Sequence, residues 1–278
     1  MTTNYILLGI LAILCFYPFV YVFSASFSSG KAIAEGSVWL WPVDFNIESY
    51  KQVFTHPGIW IAFGNTIFYT VVGVAVSLFF TICGAYPLSK RDLKGKGFIA
   101  FFIALTMWFN AGMVPTYLNF VGLNLLDTRT GIIIGFALST FNVFILRTFF
   151  QSLPESLEES AKMDGANDWQ ILWKIILPLT KPALITIGLF YGVSRWNGYF
   201  WAMVLLKDEN KIPLQVLLQK LIIEMNIEQQ FSIVNAGIYS QETIIYATII
   251  FSTLPIVILY PFLQKHFKKG AVVGSIKE

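Results

Sequence analysis

Cysteine is scarce in this 278-residue sequence, with two residues, and histidine equally so, with two. Cys15 and Cys83 both fall inside apolar runs, so neither a disulfide framework nor a metal-spaced pair can be built. His56 and His266 stand far apart in the sequence, which argues against a histidine-based metal or catalytic site. No Gly-rich loop followed by Lys-Ser or Lys-Thr is present, so the chain has no phosphate cradle of its own and nucleotide binding by it is not supported. Charge is sparse too: Asp, Glu, Lys and Arg make up 13% of the chain.

What fills the sequence is apolar. Hydrophobic residues reach 56% and aromatics 17%, with a mean hydropathy of +0.65, beyond what a soluble domain of this size carries. Almost charge-free runs predict six membrane spans, at about 5–28, 59–88, 98–118, 129–150, 183–206 and 243–265. Each supplies the roughly 17 to 25 apolar residues that a helix needs to cross about 30 Å of hydrocarbon. The runs are continuous rather than alternating, so helices and not barrel strands satisfy the backbone. The expected fold is an all-α polytopic membrane protein, residues 1–278 forming a single transmembrane domain.

Orientation follows from Lys and Arg. With both termini inside, the inner loops hold 12 of the 19, the outer loops 6, and Arg195 lies within span five. A two-to-one inner excess favours that arrangement, and it absorbs most of the net charge of +3 without invoking nucleic acid. The first span has small residues after it in "FSASFSSG", but no basic n-region and too long an apolar stretch for a signal peptide, so a retained helix is expected. Beyond it, Trp39 and Trp41 suit the headgroup level, and "NIESYKQVF" predicts a short interfacial helix capped at Asn46 with Ile47, Tyr50 and Phe54 on one face.

The connection between spans four and five, 151–181, is long, polar and patterned. Ser152 is a candidate N-cap with Pro154 in the first turn and Glu155 completing a capping box, starting a helix that stops at Asp164-Gly165. A second helix is expected from Asn167, with Gln170 as its reciprocal cap. Trp169, Leu172, Trp173 and Ile176 form its apolar face, and Pro178 and Pro182 end it.

That connection, "ESLEESAKMDGANDWQILWKIILPLTKPAL", resembles the EAA loop of permease subunits of bacterial ABC importers. Glu159, Ser160 and Ala161 match its Glu-Ala-Ala, Gly165 its glycine, and Ile176-Leu177-Pro178 its closing motif. Ser160 replaces the first alanine, small for small, and Met163 and the Asp164-Gly165-Ala166 run fit the version found in sugar importers. "WLWPVDFNIESYKQVF", "WNGYFWAMVLL" and the tail "KGAVVGSIKE" extend the likeness over essentially the whole chain, to the smaller permease of the maltose-transporter type and its relatives that import polysaccharide fragments. The resemblance implies a helix bearing Glu158, Glu159, Ser160, Ala161, Met163, Asp164, Gly165 and Ala166 that docks on a separate ATPase. It further implies a second permease subunit, two ATPase subunits that bind ATP and Mg, an external solute-binding protein and a location in the bacterial inner membrane. This chain itself would bind no cofactor and catalyse nothing. Without the loop, an ion-coupled secondary carrier for a polar solute would be the leading reading.

Polar residues within spans are costly and point to a lined passage. The candidates are Asn65 with Thr66, Asn110, Asn142, and the span-five group Ser194, Arg195, Trp196, Asn197 and Tyr199. Arg195 lies about 18 Å along a helix counted from Ala183, near the midplane. Two roles stay open for it: its planar fork suits the carboxylate of an acidic, uronate-containing oligosaccharide, or it caps buried carbonyls. Trp196 and Tyr199, i and i+3, suit stacking on sugar faces beside Asn197, whereas the single asparagines suit interhelical hydrogen bonds equally well.

Overall fold

The computed structural model describes residues 2–231 and 241–275, and among these every regular element is helical. In chain order α1 runs Thr2–Ser26, α2 Gly30–Ala34, α3 Glu48–Thr55, α4 Pro57–Ser89, α5 Lys96–Leu105, α6 Met113–Gly122, α7 Arg129–Ile134 and α8 Thr140–Gln151. Then follow α9 Ser156–Met163, α10 Asp168–Ile171, a π-helical turn Leu172–Ile176, α11 Leu177–Leu179, α12 Lys181–Asn197, α13 Phe200–Leu205, a 3₁₀ turn Glu209–Lys211, α14 Leu214–Phe231 and α15 Gln241–Ser275. The last three residues of the KGAVVGSIKE tail, and so the carboxyl terminus, lie outside the described residues.

Among the described residues, three helices are individually long and apolar enough to cross a membrane: Asn4–Ser26, Pro57–Ser89 and Glu242–Leu259. They coincide with the first, second and sixth segments read from the sequence. The segments read as spans three, four and five are instead each divided, into α5 and α6, α7 and α8, and α12 and α13. The interruptions have local causes. Before α6, Gly112 adopts φ +86° and the Asn110 side chain accepts the Gly112 N–H at 2.9 Å, closing a turn that an uninterrupted helix would not need. Between α7 and α8, Ser139 turns extended and its hydroxyl caps the Asn142 N–H, a fresh helix start.

The chain divides into two compact units, residues 1–65 with 212–258, and residues 66–211 with 259–278. In the first unit the segment after α1 is held by serines. Ser24 donates to the Leu40 carbonyl at 2.7 Å, Ser28 accepts the Val43 N–H at 3.0 Å, and Ser29 caps α2. Phe27 stacks on both Phe45 and Tyr50, and the Tyr50 hydroxyl meets Ser26 at 2.9 Å. The short helix expected in NIESYKQVF forms but begins one residue late: Ile47 occupies the cap position, and Asn46 receives the Glu48 N–H from outside the helix. Val53 of α3 packs with Ile59, Ala62, Leu214 and Ala247 in one apolar cluster. Trp39 and Trp41 remain exposed.

In the second unit α4 and α12 pack through small residues. Gly73, Ser77, Thr81 and Ala85 recur every four positions on α4, and the last three are fully buried. Facing them, Gly188 and Gly192 of α12 leave room for Leu78 and Val74, whose methyl groups would lie 3.5 and 3.8 Å from added β-carbons. Lipid tails are as apolar as leucine, so association within a bilayer depends on such close van der Waals contact rather than on burial from water.

Asp127, with φ +52°, organises one loop cluster of this unit. Its carboxylate accepts the backbone N–H groups of Lys207 and Asp208, both at 3.1 Å, and Lys211 pairs with both Asp127 and Asp208 at 3.3 Å. The N–H groups of Asp208 and Lys207, aided by Lys211, hold the Asp127 carboxyl below the usual aspartate range; the Asn210 N–H and Lys211 do the same for Asp208. Depressed carboxyl values mean that this stabilisation is complete above the ordinary aspartate pKa of about 3.9 and is lost as pH falls through the lower folded values. Hydrogen exchange at the Lys207 and Asp208 amides, corrected for intrinsic rates, is expected to lose protection only in that acid range, and Asp127→Asn to remove the pH step. A second expectation concerns Gly131 at the start of α7, where an added β-carbon would sit 2.5 Å from the Leu125 carbonyl oxygen. Gly131→Ala should therefore cost about 1–3 kcal/mol, read as a lowered unfolding temperature in detergent.

Candidate functional site

The loop between α8 and α12 is built from local capping chemistry. Ser152, expected to start α9, instead closes α8, its hydroxyl donating to the Phe149 carbonyl at 2.8 Å. The N-cap position of α9 falls on Glu155, after Pro154, which leaves residue 153 outside the helical region. Glu158 and Glu159 lie in the first turn, where the helix dipole favours them, and Lys162 lies in the last. The stop is the expected one: Gly165 has φ +81°, its N–H reaches the Lys162 carbonyl at 3.0 Å, and the Ala166 N–H reaches that of Ala161 at 2.9 Å. This paired arrangement satisfies two otherwise orphaned carbonyls and requires a residue at ease with positive φ.

The second helix begins with the reciprocal cap read from the sequence. Asn167 accepts the Gln170 N–H at 2.9 Å and Gln170 accepts that of Asn167 at 3.0 Å. Pro178 does not end it as expected. The helix widens into a π turn in which the Leu177 N–H reaches back to Leu172, five residues away. That widening accommodates a proline ring that would otherwise crowd the Lys174 carbonyl. The helical path then runs to Leu179 and turns by 82° into α12 at Thr180, whose hydroxyl donates to the Ile176 carbonyl at 2.8 Å. Leu172 and Ile176 are buried, while Trp169 and Trp173, expected on the same apolar face, are exposed.

α9 has two faces. Inward, Ala161 is buried in the apolar cluster with Ile171, Leu172 and Phe150, and Glu158 pairs with Lys90 at 2.5 Å. Lys90 also lies 4.1 Å from the centre of the Tyr86 ring. Burial works against its charge, but the bonds to Glu158 and Tyr86 outweigh that and hold the ammonium above the ordinary lysine value. Arg91 pairs with Glu155 at 2.7 Å nearer the surface. Outward, Glu159, Ser160, Met163, Asp164 and Gly165 are exposed, Met163 at 89%, a large apolar side chain with nothing over it in this chain. Between α9 and the turn after α4 lies a cavity of about 370 Å³ lined by charged groups including Lys90, Arg91, Lys96, Glu158 and Glu159. Lys90→Glu is expected to lower the unfolding temperature by several degrees and Lys90→Glu with Glu158→Lys to restore most of it, since only the swap re-forms the half-buried pair.

The polar residues read as passage-lining are dispersed. Asn65 is buried and donates to the Ile212 carbonyl at 3.1 Å; Thr66 and Asn142 are buried as well. Trp196 is 8% exposed. Asn197 and Tyr199 are exposed, Asn197 donating to the Val193 carbonyl at 3.1 Å, and Ser194 is exposed beside them. Asn110 is exposed in the break between α5 and α6 rather than in mid-helix. Arg195, in the last turn of α12, spreads its fork over carbonyl oxygens: Ile132 at 2.7 Å, Ile133 at 2.9 Å and Phe136 at 2.8 Å, with Ser77 of α4 at 3.3 Å. One turn earlier, buried Tyr191 accepts the Ser139 N–H at 3.0 Å and meets the Thr81 hydroxyl at 2.7 Å.

Tyr191, Ser77 and Thr81 went unnoticed in the sequence, as did the glycines opposite them. Their signal was the spacing of small residues, Gly188-x-x-x-Gly192 and Gly73, Ser77, Thr81, Ala85.

An apolar helical chain with a capped, outward-facing acidic helix on a polar loop fits a membrane subunit with a docking surface, and residues 97–272 match the family described as the binding-protein-dependent transport system inner membrane component. The chain belongs to that family and is a multi-pass membrane permease component of an ABC transporter. Among curated relatives, Protein LplC of Bacillus subtilis (strain 168) is 41% identical over 99% of this chain and 93% of its own. The polygalacturonan/rhamnogalacturonan transport system permease protein YtcP of the same organism is 42% identical over 96% and 94%. Among solved structures, a chain from a bacterial ABC transporter involved in the import of the acidic polysaccharide alginate matches with 49% identity and a TM-score of 0.88, covering 96% of this chain and 95% of that one. A second chain, from a bacterial alginate ABC transporter in complex with alginate pentasaccharide-bound periplasmic protein, shares the fold at 15% identity and a TM-score of 0.62.

Proposed function

We propose that this chain is one of two different permease subunits of an ATP-driven importer that carries an oligosaccharide built from uronic acids into the bacterial cytoplasm by alternating access. The observation that carries the ATP-driven reading is α9: a short helix fixed on its inner face by Glu158 and Ala161, ended at Gly165, and offering Glu159, Ser160 and Met163 outward. Such a rigid, one-sided projection suits insertion into a cleft on a separate ATPase, where Glu159 meets a basic group and Met163 an apolar one. ATP and Mg belong to two ATPase subunits, which hydrolyse the nucleotide; an external binding protein delivers the sugar. In this reading α5 with α6, α7 with α8, and α12 with α13 are divided spans, which with α1, α4 and α15 make six. Both termini are cytoplasmic and the loop 151–181 lies on the cytoplasmic side, as the Lys and Arg asymmetry favours.

The acidic cargo is supported by the relatives named for polygalacturonan and alginate, at 42% and 49% identity. Exposed Asn110, Asn197 and Tyr199 are the side chains of the candidate set best placed to meet it, with hydrogen bonds from the amides and a ring for the apolar faces of the sugars. Asn65, Asn142 and Trp196 are buried and less open to it.

Glu159→Lys and Gly165→Pro, made separately, are expected to reduce co-purification of the ATPase and to abolish stimulation of ATP hydrolysis by loaded binding protein. Normal assembly and coupling in both variants would remove the docking role from α9. For the cargo, tetragalacturonate should stimulate hydrolysis by the complete complex at least tenfold more effectively than a neutral arabinotetraose. Equal or reversed preference would exclude an acid-selective importer.

A further inference from the structure

The interruption between α7 and α8 poses an accounting problem. A helix end leaves its last carbonyls without partners, and within hydrocarbon no bulk water replaces them. The last four carbonyls of α7 are all accounted for: Gly131 accepts from the Gly135 N–H and Ile134 from that of Ala137, while Ile132 and Ile133 accept from Arg195. Phe136, within the break, also accepts from Arg195. At the far side of the break the Ser139 N–H, the first donor before α8, is taken by Tyr191. Arg195 and Tyr191, i and i+4 on α12, therefore serve the two sides of one break from a single helix face.

Their own positions are fixed from behind by α4. Ser77 meets Arg195 and Thr81 meets Tyr191, again i and i+4, and a β-carbon added at Gly73 would stand 3.0 Å from the Arg195 Nε. The break also touches its neighbour in the preceding segment, since the Thr140 hydroxyl, one residue past Ser139, lies 3.0 Å from that of Thr106 at the end of α5.

We infer that Arg195 and Tyr191 are positioning residues for transport: together they clasp the interrupted α7–α8 segment to α12 and thereby set the wall of the passage, without reading the cargo's charge. This rests on the permease reading above. A planar fork holds three converging carbonyls at once, a geometry that an ammonium on a thinner stem does not reproduce. Tyr191, which carries no charge, should share the phenotype of Arg195 if the clasp matters, and should not if a carboxylate is being read.

The test uses the complete transporter in proteoliposomes, with Cys15→Ala and Cys83→Ala, and Thr106→Cys paired with Thr140→Cys as a reporter of the break. The parent pair is expected to cross-link rapidly under mild oxidation. Arg195→Gln, Arg195→Lys and Tyr191→Phe should each slow cross-linking at least threefold and lower the maximal ATP hydrolysis stimulated by tetragalacturonate-loaded binding protein, while the half-saturating concentration of that protein stays unchanged. Should the arginine variants fail to assemble, Tyr191→Phe decides alone. Parental cross-linking in every assembled variant overturns the inference. Loss of stimulation in the arginine variants alone, with cross-linking intact, would overturn it in favour of carboxylate recognition. Because cross-linking requires no sugar, a wrong cargo class leaves that arm readable and shows up separately as failure of tetragalacturonate on the parent.

Discussion

A backbone that breaks its helix must find new partners for its polar groups, and in this chain one guanidinium meets three of them. The bonds from Arg195 to Ile132, Ile133 and Phe136 let α7 end and α8 begin without stranding polar groups. Much of the second unit is arranged around that need. The small residues of α4 and α12 bring the two helices close enough for Ser77 and Thr81 to reach Arg195 and Tyr191, and the large side chains Val74 and Leu78 fill the space over Gly188 and Gly192. An uninterrupted fourth segment would have made the arginine an expensive passenger.

The same helix, α4, carries a second responsibility at its other end. Immediately after its last residue, Lys90 and Arg91 hold the acidic helix α9 through Glu158 and Glu155. α9 is thereby attached at three places: by its own chain at each end and, sideways, to the turn that leaves α4. α9 is thus tied to the turn after α4 through Lys90 and joined to α12 along the chain through the bend at Thr180. These are the two helices whose facing surfaces hold the broken segment.

Legibility in the sequence followed the range of the forces involved. Segments whose apolar character is continuous, α1, α4 and α15, were plain from composition, because span length depends on one dimension of the bilayer. The Asn167–Gln170 cap and the turn at Gly165 were plain too, since both are settled within four residues. The divided segments were not. Hydropathy averages over the gaps around residues 110, 137 and 198, and the side chains that make a gap tolerable lie far away in sequence, as Arg195 does from Ile132. The start of α9 was misplaced because Ser152 had two uses open to it, beginning one helix or finishing another. The packing of Phe150 and Leu153 into the apolar cluster accompanies the second. For Arg195, two roles had equal chemistry, and the carbonyls it bonds lie some sixty residues away along the chain.

The contact between α4 and α12 depends on missing volume. Gly73, Gly188 and Gly192 contribute by what they do not carry, and beside them Thr81 and Tyr191 share a buried bond of 2.7 Å. Such a joint depends on shape more than on charge. The ion pairs of Lys90 and Lys211, by contrast, stand partly in solvent, where salt and acidity reach them. The contact itself behaves as a mechanical part with a fixed fit.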